Sequence, residues 1–123
     1  MTYSGNELAA LMKLGLAMAE ADGHVDQVEH VAIVSEFRNF GVNESSVSVI
    51  IAKAAIMDAA EAIATLAVMT TEQKKYATGY LAAIMASDGE IAESEISMWQ
   101  LICTLASFPT MTIHEALRFW TNN

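Results

Sequence analysis

The sequence predicts an all-α fold: a single-domain bundle of about seven helices. Three observations predict it. Apolar residues make up 54% of the 123 positions, drawn heavily from Ala, Leu, Ile, Val and Met, with a single proline. Such a composition favours helices over sheet or disorder. The apolar residues recur at helical spacing, and no segment reads convincingly as a strand. Finally, Asp22-Gly23-x-Val25-x-x-x-Glu29 returns as Asp88-Gly89-x-Ile91-x-x-x-Glu95, 66 residues downstream. A duplicated helix–Asp-Gly–helix unit is therefore expected, over about residues 7–57 and 71–121, with the copies packed about an approximate two-fold axis. A chain of this length buries a core without metal or disulfide staples.

The first helix is expected from about Glu7 to Asp22, with Leu8, Leu11, Met12, Gly15, Leu16 and Ala19 on one face. Gly23 ends it, because glycine readily takes the left-handed conformation past a helix. Asp26 is an N-cap and Glu29, three residues on, completes a capping box. That second helix runs through Val31, Val34 and Phe37 to Phe40, and Gly41 stops it. Asn43 caps a third, with Val47, Ile50, Ile51 and Ala54 on its stripe. Asp58 with Glu61 opens a segment reaching about Met69. Thr70 with Gln73 opens the next, whose inner face holds Tyr76, Tyr80, Leu81 and Ile84 and which Gly89 ends. The sixth carries Ile96, Trp99, Cys103 and Ala106. Ala92 stands where Asp26 stood, so Ile91 and Ile96 are expected to staple its start. Pro109 closes it, and Thr112 with Glu115 caps a last helix striped by Ile113, Ala116, Leu117 and Trp120.

The net charge is −9. An acidic surface repels phosphates and anionic lipid, so nucleic-acid binding is disfavoured. The longest uncharged stretch, Ile96 to Ile113, holds Ser97, Gln100, Thr104, Ser107 and Pro109. It is a poor membrane span. No secretory leader is expected, since Glu7 precedes the first apolar stretch and Lys13 interrupts it. Cys103 is the only cysteine and lies in an apolar stretch, as a small hydrophobe would. A cytoplasmic location fits this cysteine usage. Most of the eight methionines keep helical spacing with Leu and Ile and read as core filler, as Trp99 and Trp120 do.

The acid is concentrated. Glu20, Asp22, Asp26, Glu29, Asp88, Glu90, Glu93 and Glu95 hold eight of the fifteen acidic residues, and no Lys or Arg interrupts either cluster. Asp, Gly, an aliphatic residue and a later Glu also form the second half of a calcium-binding EF-hand loop. The first half is missing, because Met18 and Ile84 occupy the position of the first oxygen ligand. His24, Asp26, Glu29 and His30 supply no evident three-ligand set for zinc, and the second copy has no histidine. No Ser/His/Asp set, phosphate-cradling glycine loop or Cys-x-x-Cys motif occurs.

Met18-Ala19-Glu20-Ala21-Asp22-Gly23-His24-Val25-x-x-x-Glu29, with its echo Met85-Ala86-Ser87-Asp88-Gly89-Glu90-Ile91-x-x-x-Glu95, resembles the TerB family over nearly the whole chain. These are small helical proteins of bacterial tellurite-resistance gene clusters, and a similar domain occurs in some membrane-anchored DnaJ-like co-chaperones. The resemblance implies an all-helical domain without established catalytic activity, linked to stress responses. It also implies a metal-binding role for acidic residues, which by position are Asp22, Glu29, Asp88 and Glu95, with Asp26 and Glu93 as accessories.

Two readings of these acids compete. In the local one each Asp orders its turn and each Glu caps the following helix by accepting backbone N–H bonds. In the other, carboxylates from both turns converge on a hard cation, calcium or magnesium. Capping follows from spacing alone, whereas convergence needs the tertiary fold, so the spacing favours caps. The expected function is a non-enzymatic module acting through protein partners, with a divalent cation at the acidic turns. Metal-dependent hydrolase-like chemistry at the same carboxylates is the alternative, and a purely structural or homo-oligomerising domain is the third reading.

Overall fold

The computed structural model describes residues 3–20, 35, 40, 42–87, 89 and 91–122. Six helices lie among them: α1 (Gly5–Ala19), α2 (Glu44–Ile56), α3 (Ala59–Ala67), α4 (Thr71–Met85), α5 (Glu93–Leu105) and α6 (Ile113–Asn122). No strand occurs among the described residues. Apart from Ser35 and Phe40, the expected second helix lies outside the described residues, as do Gly23, expected to end the first helix, and Gly41, expected to stop the second.

Helix starts follow local side-chain chemistry. Asn43 Oδ1 accepts the Ser46 N–H at 2.9 Å, and Asp58 Oδ1 accepts the Glu61 N–H at 2.7 Å. Thr70 and Gln73 cap each other reciprocally, as do Thr112 and Glu115. Ser4 and Glu7 do the same at α1, which therefore begins at Gly5, two residues earlier than the periodicity places it. Each cap satisfies backbone donors that a helix start leaves open.

Two helix ends differ from expectation. Gly89 does turn the chain in the left-handed region, at φ 84°. But α4 has already stopped at Ala86, where Ser87 donates both its N–H and its hydroxyl to the Ile84 carbonyl, at 3.2 and 2.7 Å. The serine claims the open carbonyl before the glycine is reached. At the end of α5, Ser107 takes the left-handed conformation, at φ 56°. Phe108 N–H reaches Cys103 O at 2.8 Å, and Ser107 N–H reaches Thr104 O. This pair of bonds is a Schellman motif built without glycine. Pro109 follows it, and Phe108 buries its ring.

The core is organised around α1 and α4. α1 packs on α2, α3, α4 and α5, and α4 packs on α5 and α6. Leu8 to Met12, Leu14 and Met18 are buried on α1, and Ala77 to Ala82, Ile84 and Met85 on α4. A helix apolar nearly all round is one that the fold surrounds. α2, by contrast, buries only Ile50 and Ala54 among its described side chains, and Ile51, expected on its apolar stripe, is exposed. α6 lies close on α4 because Gly79 has no side chain there. A Cβ at Gly79 would meet Ala116 O and Trp120 Cβ at 2.9 Å. Trp120 joins Phe40, Tyr3 and Tyr80 in an aromatic cluster, the three rings around Phe40 lying 4.8 to 5.4 Å from it.

Candidate functional site: the acidic start of α5

α5 begins at Ala92, whose side chain has no acceptor to offer. The reciprocal half of a capping box remains: Glu95 Oε1 accepts the Ala92 N–H, at a long 3.4 Å. Ile91 and Ile96, flanking this start, are half-buried against the core, where a hydrophobic staple puts them.

Glu95 is only 3% exposed, and it is the one charged side chain buried among the described residues. Its placement follows from helical spacing. Glu95, Trp99, Ile102 and Ala106 fall on one face and all are buried. Trp99 fixes that face, donating from Nε1 to the Thr78 carbonyl of α4 at 3.3 Å. The glutamate thus heads an apolar stripe that points into the bundle. Its second oxygen, Oε2, is buried and has no hydrogen-bond partner among the described residues. A buried acceptor left unmatched costs about 1–3 kcal/mol, and more when charged.

Glu93 is exposed in the first turn of α5. Asp22, Asp26, Glu29 and Asp88 lie outside the described residues. Of the four principal candidates, Glu95 alone is therefore described, and no group of three or more His, Cys, Asp or Glu suited to a metal occurs among the described residues. A free carboxylate oxygen is a hard donor, the kind that calcium and magnesium take. In this respect Glu95 fits a divalent cation.

Cys103 is half-buried, and burial pushes its thiol up to about 12. A thiol so reluctant to ionise packs rather than attacks. Residues that the sequence did not single out are Thr78, which receives Trp99, and Ser87, which ends α4. The spacing Glu95-Trp99-Ile102 was the available signal for the first; nothing in the sequence marks Ser87 beyond its hydroxyl.

The model of the family described as "Tellurite resistance protein TerB" matches residues 8–118. The chain belongs to the TerB family. Among solved structures, the fold is similar to that of a protein of unknown function from Porphyromonas gingivalis W83. The two share 40% identity, with a TM-score of 0.90 over 99% of this chain and 92% of that one. No curated relative matches the sequence. No described helix of this TerB chain is long and apolar enough to cross a membrane.

Proposed function

We propose that this chain is a non-enzymatic TerB module that binds a divalent cation, calcium or magnesium, at its acidic turns and presents the resulting surface to a protein partner. The single observation that carries the cation is Glu95: a buried carboxylate whose Oε1 makes a long capping bond and whose Oε2 has no partner among the described residues. A cation would supply the missing partner. Asp88 and the duplicated Asp22 and Glu29 are the further ligands the repeated pattern nominates, with Asp26 and Glu93 beside them. The duplication is the support for two such turns related by an approximate two-fold. The family's description is the support for a setting in a tellurite response. A cation that ties the two turns together would change the surface shown to a partner.

The test is the melting temperature of chelator-stripped protein titrated in turn with calcium, magnesium, manganese and zinc. A ligand that binds only the folded state raises stability by about 2.7 kcal/mol at a hundred times its Kd. The expected result is a selective rise that Glu95→Gln reduces and Glu29→Gln/Glu95→Gln abolishes. If no cation shifts the melting temperature, the site is refuted and the glutamates are caps.

A further inference from the structure

We infer that the groove between the start of α1 and the start of α2 docks a partner's short peptide segment, an apolar side chain seated in the groove with a neighbouring carboxylate paired to Lys53. The inference rests on the protein-contact part of the proposed function and is independent of the cation. The groove has a volume of about 660 Å³, a size that holds a few side chains. Leu8, Phe40 and Ile50 form its apolar lining, and Val49 stands on its edge with 57% of its surface exposed.

α2 gives the reason an occupant is expected. Its apolar residues go all round, but the fold takes up only the stripe of Ile50 and Ala54. Val49, Ile51 and Ile56 stay in solvent, Ile56 at 86% exposure. Apolar surface of this kind, rimmed by polar groups, marks interaction sites.

Charge selects the occupant. The chain carries −9, so most of its surface repels acid. Among the described residues, Lys53 is the one charged side chain lining the groove. Its ammonium lies over Gly5, the first residue of α1, 3.2 Å from where a Cβ would stand. No ion pair holds it among the described residues. Glu7, two residues from Gly5 in sequence, is engaged in capping Ser4. A segment with one carboxylate beside an aliphatic or aromatic side chain matches this pairing, whereas a run of acids is repelled by the rest of the chain. The groove opens at the first turn of α1, and Glu95 is not among the residues that line it.

The experiment uses the full chain, ¹⁵N-labelled, with chelator present. The probe is a degenerate pool of eight-residue peptides, each with one Asp or Glu beside Leu, Ile or Phe, compared with a matched pool carrying Asn or Gln instead. The acidic pool should shift the amide signals of Val49, Ile50 and Lys53 and bind more tightly than the neutral pool. Lys53→Met should erase that preference, a change of roughly two- to fivefold, the range of an exposed ion pair. Val49→Asp should weaken binding more than about tenfold, because it removes buried apolar contact. Both positions are exposed, so the variants keep the fold. Equal binding of both pools, shifts elsewhere, or no binding at millimolar peptide would overturn the inference. So would concentration-dependent shifts of the same signals without peptide, which would place a second copy in the groove. A groove that fails while the cation response survives leaves the cation site intact, and the converse outcome leaves the groove.

Discussion

α5 and α6 begin with a glutamate in the same register, and the two glutamates live in different worlds. Glu115 is exposed, accepts the Thr112 N–H at 2.9 Å, and donates its own N–H to the Thr112 hydroxyl at 3.1 Å. Glu95 is buried, accepts the Ala92 N–H at 3.4 Å, and has no hydroxyl facing it. Capping explains Glu115 completely, since its remaining oxygen is free to meet water. Capping does not explain Glu95, because a cap needs no burial, and its Oε2 is buried without a hydrogen-bond partner among the described residues. The difference teaches that one local pattern serves two ends, and that the deciding quantity is what surrounds the second oxygen.

The largest expected effect tests that contrast directly. Glu95→Met keeps the length of the side chain and removes the unmatched oxygen. In chelator, its melting temperature should equal or exceed that of the parent chain, since replacing a buried charge with an apolar group of similar volume is neutral or stabilising. With saturating cation the order should reverse by about 2–3 kcal/mol. Glu115→Met should show no reversal. A strong loss in chelator would mean that Glu95 is already satisfied, and the comparison would collapse.

A smaller effect asks what holds α6 if its start is merely capped. Gly79→Ala sets a methyl group 2.9 Å from Ala116 O and Trp120 Cβ. Overpacking of that kind costs about 1–3 kcal/mol. Chemical denaturation should show this loss, equal with and without cation. A neutral substitution would mean that α6 shifts freely and that its packing on α4 is loose.

The smallest effect concerns pH. Hydrogen bonds from Thr112, its backbone N–H first and its side chain second, hold the Glu115 carboxyl below its ordinary value. A carboxyl lowered in the folded state adds stability above its unfolded value and loses it as pH falls through the folded value. Wild type should therefore melt slightly above Glu115→Gln at pH 7. The gap should close as the pH drops through and below the usual carboxylate range. A gap that persists in acid would assign the effect to packing.

Much of this was legible beforehand. Asn43, Asp58, Thr70 and Thr112 each mark a helix start, because a short side chain reaches a backbone N–H three residues on with no help from the rest of the fold. Ser107 was not legible as a helix stop, because a non-glycine residue enters the left-handed region only where surroundings such as the buried Phe108 hold it there. Ile51 was placed inward on apolar character, yet the side of α2 that faces α1 is settled by packing.

By itself the sequence determined an all-helical chain and most of its helix starts, since propensity, periodicity and capping act over a few residues. Only the tertiary structure decided that α1 and α4 lie at the centre and that Glu95 heads a buried stripe. The reason is physical. Whether a carboxylate oxygen meets water, a backbone donor or nothing depends on which helices close over it, and those helices are distant in sequence.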